Sequence, residues 1–311
     1  MAELSDTSTG PGRLGGRDSR FIHLDMGQQR ERAVDARTLV IPLDALGAEV
    51  PPFEALYLAH YRAMREIGRH VTEPGLAVVA VHVPSCALAG RAWVAAKPGQ
   101  PSALIFGRHS RADLMVEAPG LSLRHLAVIL HPPRGWEGVR FAVHDLRTAA
   151  AFTDERGRRL EAVVAEGPAF LAAGGYALFA LPTGDPSSWP ELATDAWEML
   201  PARVHVAERS AEPDRWRRGP HALIGRYPRC EGADLLTDTH VSRAHVLLCR
   251  LADRVWAIDV ASTAGTASAS RPGQRRRVLG LDEGPVVLAE HRATVEWSPA
   301  AIRRAGDRSG S

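Results

Sequence analysis

Between Phe53 and Val71 the apolar positions Phe53, Leu56, Tyr57, Tyr61, Met64 and Ile67 recur at spacings of three and four, which puts them on one face of a helix. Pro51-Pro52 stands before this stretch and Pro74-Gly75 after it, as expected of a helix start and stop. The period then changes. Leu76 to Val83 is a short β-branched run, and from there to Pro182 the chain reads as short apolar segments separated by turn residues, the pattern of strands. The stretch 182–190, PTGDPSSWP, holds three prolines in nine positions; a short helical segment, Glu191 to Leu200, leads on to a second strand-rich region that ends near Ser298. Residues 1–37 carry many Gly, Ser, Asp and Arg and no sustained apolar pattern, so they are expected to form a mobile arm with no fold of its own.

The two strand-rich regions repeat each other. The first presents Ala103-Leu104-Ile105-Phe106-Gly107-Arg108, then Ala112-Asp113-Leu114, Ser122-Leu123-Arg124-His125, Asp145 and Glu166-Gly167-Pro168. The second presents Ala222-Leu223-Ile224-Gly225-Arg226, Ala233-Asp234-Leu235, Ser242-Arg243-Ala244-His245, Asp259 and Glu283-Gly284-Pro285, each landmark displaced by 114 to 121 residues. After each His the chain is apolar and β-prone, at Leu126 to Leu130 and at Val246 to Cys249, and a further strand precedes each Asp, at Val139 to Val143 and at Val255 to Ile258. Short strands at this spacing predict a β-sandwich, present twice.

Length and composition narrow the classes. The 311 residues suit about two domains of ~150 residues, and 45% apolar residues suffice for real cores. Lys and Arg (38) almost cancel Asp and Glu (36), so the net charge of +2 leaves no global field for gripping a nucleic-acid backbone. Only Lys97 is lysine, an arginine bias that suggests a GC-rich, bacterial genome. Cys86, Cys230 and Cys249 are too few and too scattered for a disulfide framework or a paired-cysteine zinc site, which fits a reducing, cytoplasmic setting. The first twenty residues lack an apolar core of a signal peptide, and the longest apolar stretch, Ala169 to Leu181, is broken by Gly174-Gly175. No membrane span is expected. His144-Asp145 comes with no HExxH, GxSxG or Gly-rich phosphate loop, so neither a metal nor a catalytic triad is expected, and no cofactor is implied. Arg275-Arg276-Arg277 is read as a solvated hairpin tip and Arg303-Arg304 as a short basic cluster; nucleic acid is not the expected partner.

Three blocks of the second region, Gly225-Arg226, Ser242-Arg243-Ala244-His245, and Asp259-Val260-Ala261-Ser262-Thr263-Ala264-Gly265-Thr266, together resemble the forkhead-associated (FHA) domain. The resemblance is close over 201–298 and looser over 86–182. It implies eleven-stranded β-sandwiches that bind phosphothreonine peptides through loops at one end and have no catalysis of their own. The residues suit that chemistry independently. A phosphate dianion offers three acceptor oxygens, and the planar guanidinium of Arg226 supplies a fork of donors for two of them, with the Ser242 hydroxyl and nearby backbone N–H groups taking the rest. Arg243 adds a second cation. The family implies that the Thr263 hydroxyl also approaches the phosphate, beside Gly265, and that His245 packs beneath the loop as support, as Gly225 does behind Arg226.

Two departures matter. Ala264 stands where the family carries an Asn that hydrogen-bonds the peptide backbone, a loss of about 1–3 kcal/mol of binding. The first region keeps Arg108, Ser122 and His125, but Leu123 replaces the second cation and its turn reads Asp145-Leu146-Arg147-Thr148-Ala149-Ala150-Ala151-Phe152. With alanine at 151, where the second region has glycine, this turn is expected to take another shape and its site to be vestigial.

The chain is therefore expected to be mainly β: two tandem FHA-like antiparallel β-sandwiches with an N-terminal helical and strand extension. The expected divisions are an arm at 1–37, a helix-containing extension at 38–85, a degenerate sandwich at 86–182, a linker with a short helix at 183–200, a second sandwich at 201–298 and a tail at 299–311. The function expected is that of a non-enzymatic signalling adaptor whose partners are threonine-phosphorylated proteins, the substrates of a Ser/Thr kinase or the kinase itself. The alternatives are a phospho-independent scaffold on the same fold, and a regulator with a DNA-binding or catalytic role in residues 38–83.

Overall fold

A computed structural model of the chain describes residues 20–23, 53–133, 138–200, 221–230, 233, 236–251, 254–290 and 292–296. The expected tail at 299–311, the Arg303-Arg304 cluster and the start of the second sandwich at 201–220 lie outside the described residues. In order, the elements of the first half are β1 (Arg20–His23), α1 (Phe53–His70), β2 (Gly75–His82), β3 (Ala87–Ala95), β4 (Ser102–Gly107), β5 (Leu114–Met115), β6 (Leu126–Leu130), β7 (Arg140–Asp145), β8 (Phe152–Asp154), β9 (Arg159–Leu160), β10 (Ala162–Glu166), β11 (Ala169–Ala173), β12 (Tyr176–Thr183) and α2 (Ala193–Met199). The second half adds β13 (His221–Ile224), β14 (Val246–Leu251), β15 (Arg254–Asp259), β16 (Thr266–Ser268), β17 (Arg271–Arg275), β18 (Val278–Gly280), β19 (Val286–Leu288) and β20 (Ala293–Glu296).

The first sandwich packs a six-stranded sheet, β3-β2-β12-β11-β8-β9, on a five-stranded one, β10-β7-β6-β4-β5. Alternation along each strand sends Leu76, Val78 and Ala80 of β2 and Leu126, Val128 and Leu130 of β6 into the core between them. The other face of β2 and β12 is covered by the helices. Leu56, Tyr57, Tyr61 and Met64 of α1 meet Val79, Val81, Phe170 and Phe179, with Trp189 and Trp197 completing the cluster. Helix α1 thus runs over the residues its 3.6-residue period predicts, and it packs on the first sandwich as its apolar face requires.

The boundaries drawn from sequence are corrected at three points. Strand β2, assigned to the extension at 38–85, is an inner strand of the first sandwich, paired with β3 on one side and β12 on the other. Within the expected linker at 183–200, Trp189 and Trp197 are buried in the cluster around α1, and the Tyr61 hydroxyl donates to Pro190 O at 2.7 Å, so this segment belongs to the first unit. Within the expected arm, β1 pairs in parallel with β20, beside which it occupies the edge of the second sandwich. Backbone ladder bonds order it there without an amphipathic pattern.

The second sandwich packs β13-β14-β15-β18 on β1-β20-β19-β16-β17. The two sandwiches also pack on each other. Ile105, Ala127, Ile129 and Leu146 on the outer face of the β4-β6-β7 sheet form one cluster with Leu223, Leu247, Cys249, Trp256, Ile258 and Val260 on the outer face of β13-β14-β15. Ile105, Ile129, Leu223, Leu247 and Ile258 are at most 2% exposed. At about 1.5–3 kcal/mol for each fully buried large aliphatic side chain, this layer is a structural core and not a tether.

Candidate functional site

Strand β13 ends in Gly225-Arg226, and the chain there runs against the loop that enters β14. Arg226 N–H donates to Ser242 O (3.2 Å), Tyr227 N–H to Arg243 O (3.0 Å), and His245 N–H to Ile224 O (2.9 Å). A Cβ on Gly225 would stand 2.1 Å from Arg243 O, so the loops can close only over glycine. Arg226 is exposed and its Nε donates to Val241 O at 2.9 Å, which orients the guanidinium plane. No carboxylate pairs with it among the described residues.

Ser242 is 8% exposed. Its N–H donates to His245 Nδ1 (3.0 Å), and its Oγ accepts from Thr263 N–H (3.0 Å), which leaves the hydroxyl proton to be donated elsewhere. His245 is wholly buried, and its Nε2 lies 3.0 Å from Gly265 O. A carbonyl only accepts, so Nε2 carries the proton and Nδ1 accepts: the partners assign the neutral tautomer. Burial lowers its pKa, partly countered by Asp259 and the Gly265 carbonyl. These bonds tie the Ser242 loop to the Gly265 turn through the His245 ring.

The third loop is folded around one carboxylate. Asp259 accepts from Ser262 N–H (2.7 Å), Ser262 Oγ (2.6 Å) and Thr266 Oγ1 (2.7 Å), and Ser262 Oγ accepts from Gly265 N–H (2.9 Å). Gly265 takes φ +83°. The spacing of Asp, Ser, Gly and Thr in this motif is thereby explained as a turn. Arg226, Ser242 and Thr263 are brought together by the backbone bonds; Arg243 and Thr263 are exposed on their loops, and Ala264 is half-buried against the second core.

The first sandwich repeats most of this frame, without counterparts to the bonds of Thr263 N–H to Ser242 Oγ and of Thr266 Oγ1 to Asp259. Arg108 N–H donates to Ser122 O (3.2 Å), His109 N–H to Leu123 O (2.9 Å), and Arg108 Nε to Leu121 O (2.8 Å). Ser122 N–H donates to His125 Nδ1 (3.2 Å), and His125 Nε2 lies 3.0 Å from Ala151 O. The turn expected to depart keeps the same shape: Asp145 accepts from Thr148 N–H and Oγ1, Thr148 Oγ1 accepts from Ala151 N–H, and Ala151 itself adopts φ +56°. The network holds alanine left-handed at a cost of about 1–2 kcal/mol. Burial outweighs the Thr148 hydrogen bonds and pushes the Asp145 carboxyl up to about 6. Arg108, Ser122 and His125 are therefore in place; what the first unit lacks is Arg243, replaced by the exposed Leu123, and the Thr263 hydroxyl, replaced by Ala149.

Sequence reasoning missed two residues that cross between the units. Arg124, 8% exposed, donates from Nε (3.1 Å) and Nη2 (2.5 Å) to Ala261 O, and Arg111 Nη1 donates to Ser262 O (3.0 Å) and Thr263 O (2.6 Å). Burial lowers the pKa of Arg124, with Asp259 acting to raise it. Arg111 lies outside every motif and Arg124 fills an unspecified position of Ser122-Leu123-Arg124-His125, because each matters only once the sandwiches meet. Arg277, expected at a solvated tip, pairs with Asp113 of the first unit. His144, part of the rejected triad, is buried against His221 with ring centroids 4.7 Å apart, while Asp145 is engaged by its turn. Among the described residues no group of three His, Cys, Asp or Glu has the geometry to hold a metal ion, and no helix is long and apolar enough to cross a membrane.

No protein-family model matches the sequence, and no curated protein is similar to it. Among solved structures, the chain is similar to FHA domains. The first FHA domain of Rv1747 from Mycobacterium tuberculosis is 23% identical, with 36% of this chain and 98% of that one covered, at a TM-score of 0.28. The FHA domain of CT664 from Chlamydia trachomatis is 14% identical over 34% of this chain and 96% of its own, at 0.28. The FHA domain of yeast Dun1, in a complex with a doubly phosphorylated peptide derived from Rad53, is 14% identical over 36% of this chain and 77% of its own, also at 0.28.

Proposed function

We propose that the chain is a non-enzymatic adaptor of FHA type whose second sandwich binds a phosphothreonine segment of a partner protein phosphorylated by a Ser/Thr kinase. The observation that carries this reading is the backbone pairing of Arg226 with Ser242: it joins a guanidinium oriented by Val241 O to the loop whose Ser242 hydroxyl already accepts from Thr263 N–H and so has its proton to give. A doubly charged ester needs such charge-assisted donors. Arg243 and the Thr263 hydroxyl stand on the same loops as further donors.

Binding of a phosphothreonine peptide library to the full chain by calorimetry tests the reading. Arg226→Ala is expected to weaken the best phosphopeptide by about 2–3 kcal/mol, on the order of 30- to 150-fold in Kd. Equal binding of phosphorylated and unphosphorylated peptides by the wild-type chain would overturn it in favour of a phospho-independent scaffold, the reading that Leu123 and Ala149 favour for the first unit.

A further inference from the structure

The turn that presents Thr263 is held from two sides. Within its own sandwich it is tied to Asp259, Ser242 and His245. From the first sandwich, Arg124 and Arg111 place two guanidinium groups on three consecutive carbonyls, Ala261, Ser262 and Thr263. The two arginines differ in setting. Arg124 is buried beneath the turn and fixes where the sandwiches meet; Arg111 is exposed at the rim, and among the described residues its side chain meets carbonyl oxygens and no carboxylate. The acid nearest in sequence, Asp113, is taken by Arg277 and by the backbone N–H of Ile105. His109, on the same loop as Arg111, has its pKa lowered first by burial and then by the positive charges of Arg124 and Arg111.

A bare cation on the Thr263 side of the site adds to Arg226 and Arg243, and the field it makes extends over a Debye length of about 8 Å into the space a bound segment would cross. We propose that Arg111, supplied by the first sandwich, is a specificity residue of the second sandwich's site, which selects phosphothreonine segments carrying a second negative charge beside the phosphothreonine. The proposal rests on the phosphothreonine reading of Arg226 and Ser242. The second charge can be a carboxylate or another phosphate, since both present anionic oxygens to a guanidinium.

The test uses the full chain and a neutral phosphothreonine peptide, its variants with Glu at each of the three positions on either side, and the same variants with a second phosphothreonine. At one or more positions the added charge is expected to tighten wild-type binding about fivefold, the size of a favourable exposed ion pair, and more for phosphate than for Glu at the same position. Arg111→Gln is expected to abolish that gain, read as the ratio of Kd values for the neutral and the charged phosphopeptide measured on the same variant, with Arg111→Lys restoring part of it. A gain found only with the second phosphate assigns the preference to phosphate, and one found with Glu assigns it to acidic flanks. The proposal is overturned if no flanking charge helps the wild-type chain, or if the gain survives Arg111→Gln. Failure of the underlying reading looks different: there the neutral peptide binds equally with and without its phosphate, and Arg226→Ala changes nothing.

Discussion

The two sandwiches carry one frame and two different surfaces. Arg108 and Arg226, Ser122 and Ser242, His125 and His245, and Asp145 and Asp259 make matching loop-closing bonds in both, while the bonds of Thr263 N–H to Ser242 Oγ and of Thr266 Oγ1 to Asp259 belong to the second unit. Around that frame, Leu123 faces solvent where the second unit has Arg243, and Ala149 stands for Thr263. The bonds that make the loops close are thus separable from the groups that would bind a ligand. The frame gives Arg108 a role of its own, since its Nε is bonded to Leu121 O, whereas the bond from Ser122 to His125 Nδ1 leaves from the backbone N–H and does not call for a serine.

Breaking the contact between the units should have the largest effect. Leu247 is 1% exposed in the shared layer, and Leu247→Asp buries a carboxylate with no partner. It is expected to cost about 3–4 kcal/mol and to split a single urea transition into two, while Leu88→Asp, on the exposed edge strand β3, changes the unfolding free energy by no more than about 0.5 kcal/mol. One unchanged transition in Leu247→Asp would mean that the two sandwiches do not share a core.

Acid should act at the same boundary, more weakly. Burial lowers the pKa of His221 to about 4 and holds that of His144 well below its usual value, and the Nδ1 atoms of both are buried without a hydrogen-bond partner. The unfolded chain then binds more protons than the folded one, so stability is full above pH 6.5 and falls as pH drops from there towards 4. Asp145, with its pKa raised to about 6, works in the opposite sense over part of that window, so comparison with a variant isolates the histidine. His221→Leu is expected to flatten the acid limb of the unfolding free energy, taken from urea titrations, by roughly 2–3 kcal/mol; an unchanged limb would place the proton uptake elsewhere.

The smallest effect tests the frame itself, and its sign matters more than its size. Gly265→Ala adds a Cβ at positive φ, 2.6 Å from Arg275 Cδ, and is expected to cost about 1–2 kcal/mol. Ala151→Gly at the matching position releases left-handed strain but gives the unfolded chain more freedom, for a net gain of about 0.5 kcal/mol. Thermal midpoints moving in the same direction for both substitutions would show that the turns are not equivalent.

Much of this was legible in the sequence. The helix at 53–70 follows from its period, and the three-loop frame follows from Gly-Arg, Ser-x-x-His and Asp-x-x-Ser, whose spacing the hydrogen bonds explain. The left-handed Ala151 was not legible, because a network of side chains can impose a conformation that the residue disfavours by itself. Nor was the place of β2, since the side of a boundary on which a strand pairs is decided by partners a hundred residues away. The meeting of the two units did leave a trace: Leu126 to Leu130 and Val246 to Cys249 are continuous apolar runs, and a strand with one wet face would alternate. Both faces of β6 and β14 are covered, and the residues that finish the contact, Arg111 and Arg124, carry no signal until the covering sheet is known.

Trp256, Leu247, Ile258 and their counterparts on the first unit give each half an oily flank that, among the described residues, the other half shields. Severed between Leu200 and His221, either piece would present that flank to water and to its own copies, inviting clumping. Expression of the halves on separate genes would therefore need tight co-translation, whereas joined in one polypeptide each serves as the other's permanent chaperone.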